Sequence, residues 1–546
     1  MTLFLDVFGF LSVILRGLAL AFEALVVGGA VFLVWIARPD DLAQDTGLVF
    51  VRRRCSALLR GSAIGLLATQ ICYVTINSIL LMGTSDLRWR DLIGANYFLA
   101  GVVVILVSAM FIALTRRAGR WFTAAAIPLS LVLISASVAT SHAASRIDNS
   151  LQLMLLTSIH HAAVGAWVGG LGYLVLALGR SPGIELGQRI AGRYSRAAQV
   201  CVVVLLFAGV GLSWSYLHSF HDLYGTNYGL MVLTKVLAFG ILLGIGGLNY
   251  FIVRRVQTDP GSLLRRLSRF AEAEVGIGFT IILATASLTS MPPAVDLRDS
   301  RATAADIAQR FSPALPRLKS PEVAELTLAS PLDMDAKGAA GLAPESFVPG
   351  QVKQANTASD IAWSEYNHNW SGLVVLTAGL LAVAARTNRI RLARHWPLVF
   401  IGLGVFLFLR ADPENWPLGP HGFWESMVVA EVLQHRLFVF LIVSFAIFEW
   451  KVQTGRISPA RAGLVFPAVC AIGGALLLTH THSLGNSKDQ LLIEMSHAPL
   501  ALLGIVAGWS RWLELRSAGP YVRVFSWIWP ICLTLVGAIL VNYREI

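Results

Sequence analysis

The chain is poor in charged residues: Asp, Glu, Lys and Arg make up 14% of its 546 residues, whereas a soluble protein carries about 25%. Hydrophobic residues make up 55% of the chain and collect in long runs. Many runs exceed roughly 18 residues, enough to cross a hydrocarbon core about 30 Å thick. The composition excludes an ordinary soluble domain. It predicts an all-α, polytopic integral membrane protein embedded in a lipid bilayer, because a helix satisfies its own backbone hydrogen bonds there.

Cysteine is also scarce, with five residues scattered along the chain and no CxxC pair among them. We therefore expect neither a disulfide framework nor a metal site made of cysteine thiolates. The chain lacks a GxxxxGK[ST] phosphate-binding loop and a DKTG phosphorylation sequence, so ATP is not expected to drive it directly. No nucleophile–base arrangement stands out, so the chain is not expected to be an enzyme, although redox chemistry stays open.

The apolar runs predict about fourteen membrane spans in an eight-helix and a six-helix bundle. They lie near 8–36, 57–82, 94–114, 122–142, 151–178, 197–217, 229–252, 271–291, 369–385, 395–409, 426–449, 460–482, 491–512 and 525–542. The predicted domains are therefore 1–291 and 369–546. Residues 292–368 between them are polar, rich in Pro and Ala, and too poor in large apolar residues for a core of their own. We expect an external linker there rather than a lid, with a short helix near Thr303–Phe311.

Basic residues predict the orientation of these spans. Loops that follow odd-numbered spans are rich in Arg, as at 52–54, 116–120 and 386–394, whereas the short even-numbered loops contain almost no Lys or Arg. The positive-inside rule then places the odd loops in the cytoplasm and both termini outside. The net charge of +11 follows from this topology, so no nucleic-acid partner is expected.

In this topology eleven of the twelve histidines lie on the outer side, and only His395 is cytoplasmic. Imidazole is the commonest metal ligand among side chains, and thioethers near the outer span ends make the set suited to copper, Cu(I) in particular. A single histidine or methionine at a helix end is more often structural, but independent structural residues have no reason to share one face. The candidate metal ligands are His142, His160, His161, His218, His221, His421, His435, His480, His482, His497, Met154 and Met495.

The histidines divide into two candidate clusters, one in each half of the chain. The first joins His142, His160 and His161 to His218 and His221. The second joins His421 and His435 to His480, His482 and His497. His160 and His435 are the sharper candidates, because an ionisable group inside an apolar helix is costly and marks function. His160 and His161 point about 100° apart on a helix, so we do not expect both to bind one ion.

The stretch from Ser158 to Leu171 resembles the copper-resistance protein D (CopD) family. That family's signature is a histidine, a tryptophan seven residues later and a Gly-Gly pair, which here match His160, Trp167, Gly169 and Gly170. Further matches are Thr234-Lys235, Asn249, Glu274 and the run from Ser287 to Asp296. The six-span end is similar, through Glu431 to His435, to the oxidase copper-assembly (CtaG-like) family.

The resemblance implies a multi-pass copper protein of the bacterial inner membrane, with both termini in the periplasm. Its outer His and Met residues would capture a periplasmic copper ion, with a periplasmic copper chaperone as a candidate partner, and pass it into or across the membrane. Two alternatives stay open. One is a b-type haem protein that carries electrons, with histidines as axial ligands. The other is an assembly factor that loads copper into a respiratory oxidase.

Overall fold

The computed structural model describes most of the chain, and no β-strand occurs in the part that it describes. The described residues are 2–38, 46–84, 88–116, 119–179, 183–255, 260–289, 293–296, 301–322, 325–326, 357–427, 430–458, 463–479, 488–517 and 521–545. His480 and His482 therefore lie outside the described residues.

The helices of the first 290 residues correspond to the first eight predicted spans and the short segments between them. They are α1 (Thr2–Val31), α2 (Thr46–Thr84), α3 (Trp89–Ile93), α4 (Asn96–Arg116), α5 (Arg120–Val138), α6 (His142–Ser145), α7 (Ser150–Val164), α8 (Gly170–Leu178), α9 (Ile184–Tyr216), α10 (Phe220–Gly225), α11 (Asn227–Arg255) and α12 (Pro260–Leu288). A π-helical turn, Phe32–Ile36, extends α1, and another, Gly165–Gly169, joins α7 to α8.

The remaining helices begin in the polar segment and continue through the last six predicted spans. They are α13 (Ala304–Arg310), α14 (Ala358–Arg386), α15 (Val399–Arg410), α16 (Phe423–Ser426), α17 (Ala430–Gln453), α18 (Val465–Thr479), α19 (Lys488–Arg516) and α20 (Tyr521–Val541). A 3₁₀ segment, Arg391–Leu398, leads into α15.

Eleven helices in the described residues are long and apolar enough to cross a membrane. This confirms the predicted all-α, multi-pass membrane fold. The predicted spans 8, 11 and 12 coincide with α12, α17 and α18, which are helical but do not meet the same criterion of length and hydropathy. The count of fourteen spans stays a prediction.

The chain forms two compact units. The N-terminal unit consists of Phe10–Leu223 and Met231–Leu297, and the C-terminal unit consists of Met1–Gly9, Tyr224–Leu230 and Arg298–Ile546. Their main boundary lies close to the predicted end of the eight-span domain, whereas the roles of the predicted domains and of the linker stay predictions.

The polar segment contains the expected short helix, because α13 spans Ala304–Arg310. Thr303 caps it: its hydroxyl accepts from the backbone N–H of Asp306, and its own N–H donates to the Asp306 carboxylate. Arg310, at the end of this helix, is only 2% exposed and donates to Ser496 within the C-terminal unit. Arg310 therefore fastens α13 to α19.

The C-terminal unit has an aromatic core with an ion-pair network beside it. Trp396, Phe466 and Trp529 lie within 5.3 to 5.9 Å of one another, measured between ring centroids. The indole N–H of Trp529 donates to Glu514, and the Arg386 guanidinium binds the same carboxylate through both oxygens, at 2.6 and 3.1 Å. Buried charges are tolerated in a membrane when they are paired in this way.

Candidate functional site

The sequence signature of residues 160–170 coincides with a break in helix geometry. Between α7 and α8 the chain makes one π turn, Gly165–Gly169. Such turns are rare and occur frequently at functional sites, because they displace backbone carbonyls from their usual helix partners. Here the hydroxyl of Tyr194 on α9 donates to the Trp167 carbonyl within the turn.

Glycines at this turn allow α1 to approach closely. A Cβ on Gly169 would overlap the carbonyl of Ala24, and a Cβ on Gly28 would overlap the backbone of Gly169 and Gly170. Small residues at membrane helix crossings allow such backbone-to-backbone packing. The Gly-Gly pair therefore has a packing role, and it fixes the position of α1 next to the histidines of α7.

His161 on α7 contacts Glu23 on α1. The imidazole Nδ1 lies 3.1 Å from Glu23 Oε1, and the two side chains are 22% and 8% exposed. Arg16, two turns before Glu23 on α1, donates to the hydroxyl of Thr140, at 3.1 Å. Glu23 is therefore matched by a group on α7, and Arg16 by the turn that follows α5.

Glu23 also lines a small cavity inside the N-terminal unit. The cavity lies between α1, α2, α4 and α5. Its other polar lining residues are Arg16, Gln70, Tyr73, Tyr97, Ser137 and Thr140. Glu23 thus faces the cavity and contacts His161 of α7.

His160 differs from its neighbour. Its Nδ1 is buried and has no hydrogen-bond partner in the described residues. Lys235 on α11 is close enough to interact with this ring electrostatically. The two adjacent histidines therefore have separate surroundings, as the helix geometry predicts.

A second buried polar pair joins two residues of the family resemblance. The side-chain N–H of Asn249, near the end of α11, donates to Glu274 Oε1 on α12. Glu274 is 3% exposed and Asn249 is 7% exposed. The resemblance matched these positions separately, and the fold brings them together.

The other predicted ligands of the first cluster lie elsewhere in the N-terminal unit. His142 begins the four-residue helix α6, Met154 lies on α7, His221 lies on α10, and His218 is exposed just before α10. In the described part of the chain, no three His, Cys, Asp or Glu side chains group closely enough to hold a metal ion. The first cluster as a whole stays a prediction, and His161 with Glu23 is the pair in direct contact.

In the C-terminal unit, His435 on α17 lies 2.7 Å from Asp412 Oδ1, measured from the imidazole Nδ1. His421 belongs to the preceding loop, where its backbone forms an isolated bridge with Asn415. Arg436, the residue after His435, lies 3.9 Å from the other oxygen of Asp412. The fold thus gives His435 an acidic partner that sequence reasoning missed.

His497 on α19 lies beside a histidine that was not predicted as a ligand. Its ring centroid is 5.9 Å from that of His368 on α14, and the His368 ring stacks on Tyr543 at 3.8 Å. The Nδ1 of each histidine lies 2.8 Å from a backbone carbonyl four residues earlier on its own helix. Met495, two residues before His497, is buried. These partners lie on helices that are far apart in the sequence. Such a pairing produces no local sequence pattern, so the sequence alone did not reveal it.

Comparisons with known proteins agree with these features. Residues 188–288 match the family model described as Copper resistance protein D. A region of 163 residues is 31% identical to the copper transport protein CutJ of Bacillus subtilis (strain 168), and the alignment covers 29% of this chain and 29% of that relative. No solved structure matches the chain significantly. The family match includes α11 and α12 with the Asn249–Glu274 pair. Residues 188–288 of this chain are therefore similar to the copper resistance protein D family.

Proposed function

We propose that this protein handles copper in the bacterial inner membrane: it binds periplasmic copper through outer-face His and Met residues and passes the ion into or across the membrane. The observation that carries the proposal is the Glu23–His161 pair beside a small cavity of the N-terminal unit. The family description and the name of the relative, which refer to copper resistance and copper transport, support copper as the cargo.

The expected topology puts this pair near the middle of the membrane. α7 begins outside at Ser150, and His161 follows eleven residues later, about 16 Å along the helix at 1.5 Å per residue. The cavity residues of α4 and α5, from Tyr97 to Val104 and from Ala136 to Thr140, belong to the outer ends of those helices in the same topology. In this proposal copper enters the cavity from the periplasmic side and meets Glu23, which lines it.

The chemistry of the pair suits a copper ion in transit. An imidazole nitrogen is a good copper ligand, and the Glu23 carboxylate, 3.1 Å from the ring, supplies a negative charge. That charge offsets the cost of holding a cation away from bulk water. Two side chains bind a copper ion more weakly than a closed site with three or four ligands does. Weaker binding suits an ion that must leave the site again. His160, one residue further along α7, supplies a second imidazole in a separate environment.

The test is a metal and transport measurement on the purified, full-length protein. Copper per chain is counted by plasma mass spectrometry in detergent, and uptake of Cu(I) is measured in proteoliposomes against protein-free liposomes. We expect about one or two coppers per chain, and the His161→Ala and Glu23→Gln variants to lose copper and uptake together. His395→Ala is the matched control, because that histidine accepts from Trp450 in the other unit and is expected on the cytoplasmic side.

The same measurement separates the two alternatives from the proposal. Stoichiometric iron without copper would overturn the copper proposal and favour the haem protein. Copper binding without uptake would favour an assembly factor, whose loss should lower the activity of a respiratory oxidase in cells. Wild-type copper content and uptake in both site variants would remove Glu23 and His161 from the pathway.

A further inference from the structure

Glu274 is a buried acid of α12 that forms no ion pair within the part of the chain that the structure describes. It is 3% exposed, and the hydrogen bond from the Asn249 amide is its direct polar contact in the described residues. The neighbouring acid on the same helix, Glu272, instead binds the Arg269 guanidinium. The two acids of α12 therefore have opposite surroundings although they lie two residues apart.

The groups that face Glu274 do not supply a compensating charge. Of the elements packed against α12, α9 contributes Tyr194, which is close enough to interact with Glu274 electrostatically. From α11, the neutral Asn249 reaches Glu274 through its hydrogen bond. Tyr173 of α8 donates its hydroxyl to the Leu25 carbonyl of α1 instead. The π turn beside α12 carries no titratable side chain.

A carboxylate without a cation is expensive in such an environment, whereas a carboxylic acid or a carboxylate next to a bound cation is not. The geometry thus suits a group that holds a proton in one state and gives it up when another positive charge is present. Tyr194 connects this position to the π turn that follows His161, because its hydroxyl binds the Trp167 carbonyl. The acid therefore lies in the same structural network as the proposed copper residues.

We propose that Glu274, held by Asn249, is a proton-exchange site that couples proton movement to copper movement, an inference that rests on the proposed function. In the exchange, the O–H bond of the Glu274 carboxylic acid breaks and the proton leaves to one side as one Cu(I) ion moves in the opposite direction. The carboxylate left behind is compensated by the arriving copper charge until it takes up a proton again. One positive charge replaces another, so no net charge crosses the membrane and nothing is oxidised or reduced. This supplies a driving force for a chain without an ATP-binding motif.

The experiment uses the full-length protein in proteoliposomes that contain the pH dye pyranine. Cu(I), kept reduced with ascorbate in anaerobic buffer, is added outside, and lumenal pH and lumenal copper are followed together. For the wild type we expect the lumen to become more alkaline as copper enters, with about one proton leaving per copper. Valinomycin and potassium that clamp the membrane potential at zero should leave both signals unchanged.

The Glu274→Gln variant should lower the copper-driven pH change to the level of protein-free liposomes, because glutamine still accepts from Asn249 but cannot release a proton. Glu272→Gln on the same helix is the matched control and should behave as the wild type. Wild-type copper uptake without a pH change, or a full pH change in Glu274→Gln, overturns the inference and leaves the proposed function standing. No copper uptake by the wild type overturns the proposed function and the inference with it. Because the wild-type arm alone shows whether protons move, a variant that fails to fold does not rescue the inference.

Discussion

Replacing Gly169 by alanine tests whether close packing of α1 against the π turn holds the Glu23–His161 pair together. The added methyl would overlap the carbonyl of Ala24, the residue directly after Glu23. A helical carbonyl cannot rotate away, so α1 and the turn must separate or the turn must change its geometry. Either change moves the Glu23 carboxylate relative to His161, which lies 3.1 Å away in the wild type.

The expected cost follows from two contributions. Overpacking in a closely packed interior typically costs about 1–3 kcal/mol, and a clash with backbone rather than with a flexible side chain favours the upper end. A hydrogen bond to a charged group adds about 1.5–3 kcal/mol when it is lost. We therefore expect a loss of stability near 3 kcal/mol or more, together with a copper affinity about 10-fold lower, the lower end of the change seen when partners of metal ligands are lost.

The assay measures unfolding in detergent and copper affinity by competition with a Cu(I) chelator for the same preparations. Gly172→Ala is the matched control one turn later, because its Cβ would meet only the Leu25 side chain at an ordinary 3.5 Å. The reasoning is refuted if Gly169→Ala and Gly172→Ala unfold alike. It is also refuted if Gly169→Ala is destabilised but binds copper as tightly as the wild type, since the glycine would then act on packing alone.

Three further changes test separate parts of the structure. Glu23→Gln should weaken Cu(I) affinity about 10-fold or more by removing the charge beside His161, as measured by chelator competition. Glu514→Gln leaves the Arg386 guanidinium of the C-terminal unit with a neutral partner and should lower the free energy of unfolding by up to about 3–5 kcal/mol, while copper uptake per folded molecule stays unchanged. Tyr194→Phe removes the donor to the π-turn carbonyl and should cost about 1–3 kcal/mol in unfolding measurements.

Each of these predictions has a result that contradicts it. If the Glu23→Gln variant keeps the copper affinity of the wild type, the carboxylate only positions a helix. The Glu185→Gln variant, at an exposed residue near the start of α9, is the control for the loss of one negative charge. Wild-type stability of Glu514→Gln would show that the Arg386 pair contributes nothing net. Wild-type stability of Tyr194→Phe would show that water replaces the tyrosine hydroxyl at the turn.

Sequence patterns predicted the fold well because a membrane simplifies the problem. The long apolar runs have one dominant physical cause, the hydrocarbon thickness, whereas the orientation predicted from the arginine-rich loops stays a prediction. The short helix at Ala304–Arg310 was also predictable, because its capping residues Thr303 and Asp306 are local in sequence. By contrast, α14 starts at Ala358, whereas the sequence predicted its start near residue 369. The first turns of α14 contain polar residues, so their hydropathy is too low to indicate a membrane span.

The candidate site was predicted only in part. His160 was singled out by its place inside an apolar helix, and His161 next to it was among the candidate ligands. Their partners were not predicted, since Glu23 lies 138 residues from His161 along the chain and no local pattern connects the two. The pairing of His497 with His368 escaped prediction for the same reason.

The sequence by itself determined that this chain is a multi-pass helical membrane protein, which family signature it carries, and which residue types are available for copper. These properties depend on composition and local spacing. Only the tertiary structure decided which side chains meet: His161 with Glu23, Asn249 with Glu274, and Asp412 with His435. The physical reason is that a polar group in a membrane must find its partner on another helix. Which helix supplies that partner is set by the packing of whole helix surfaces. Glycines such as Gly28 and Gly169 permit one close approach, and larger side chains elsewhere prevent others.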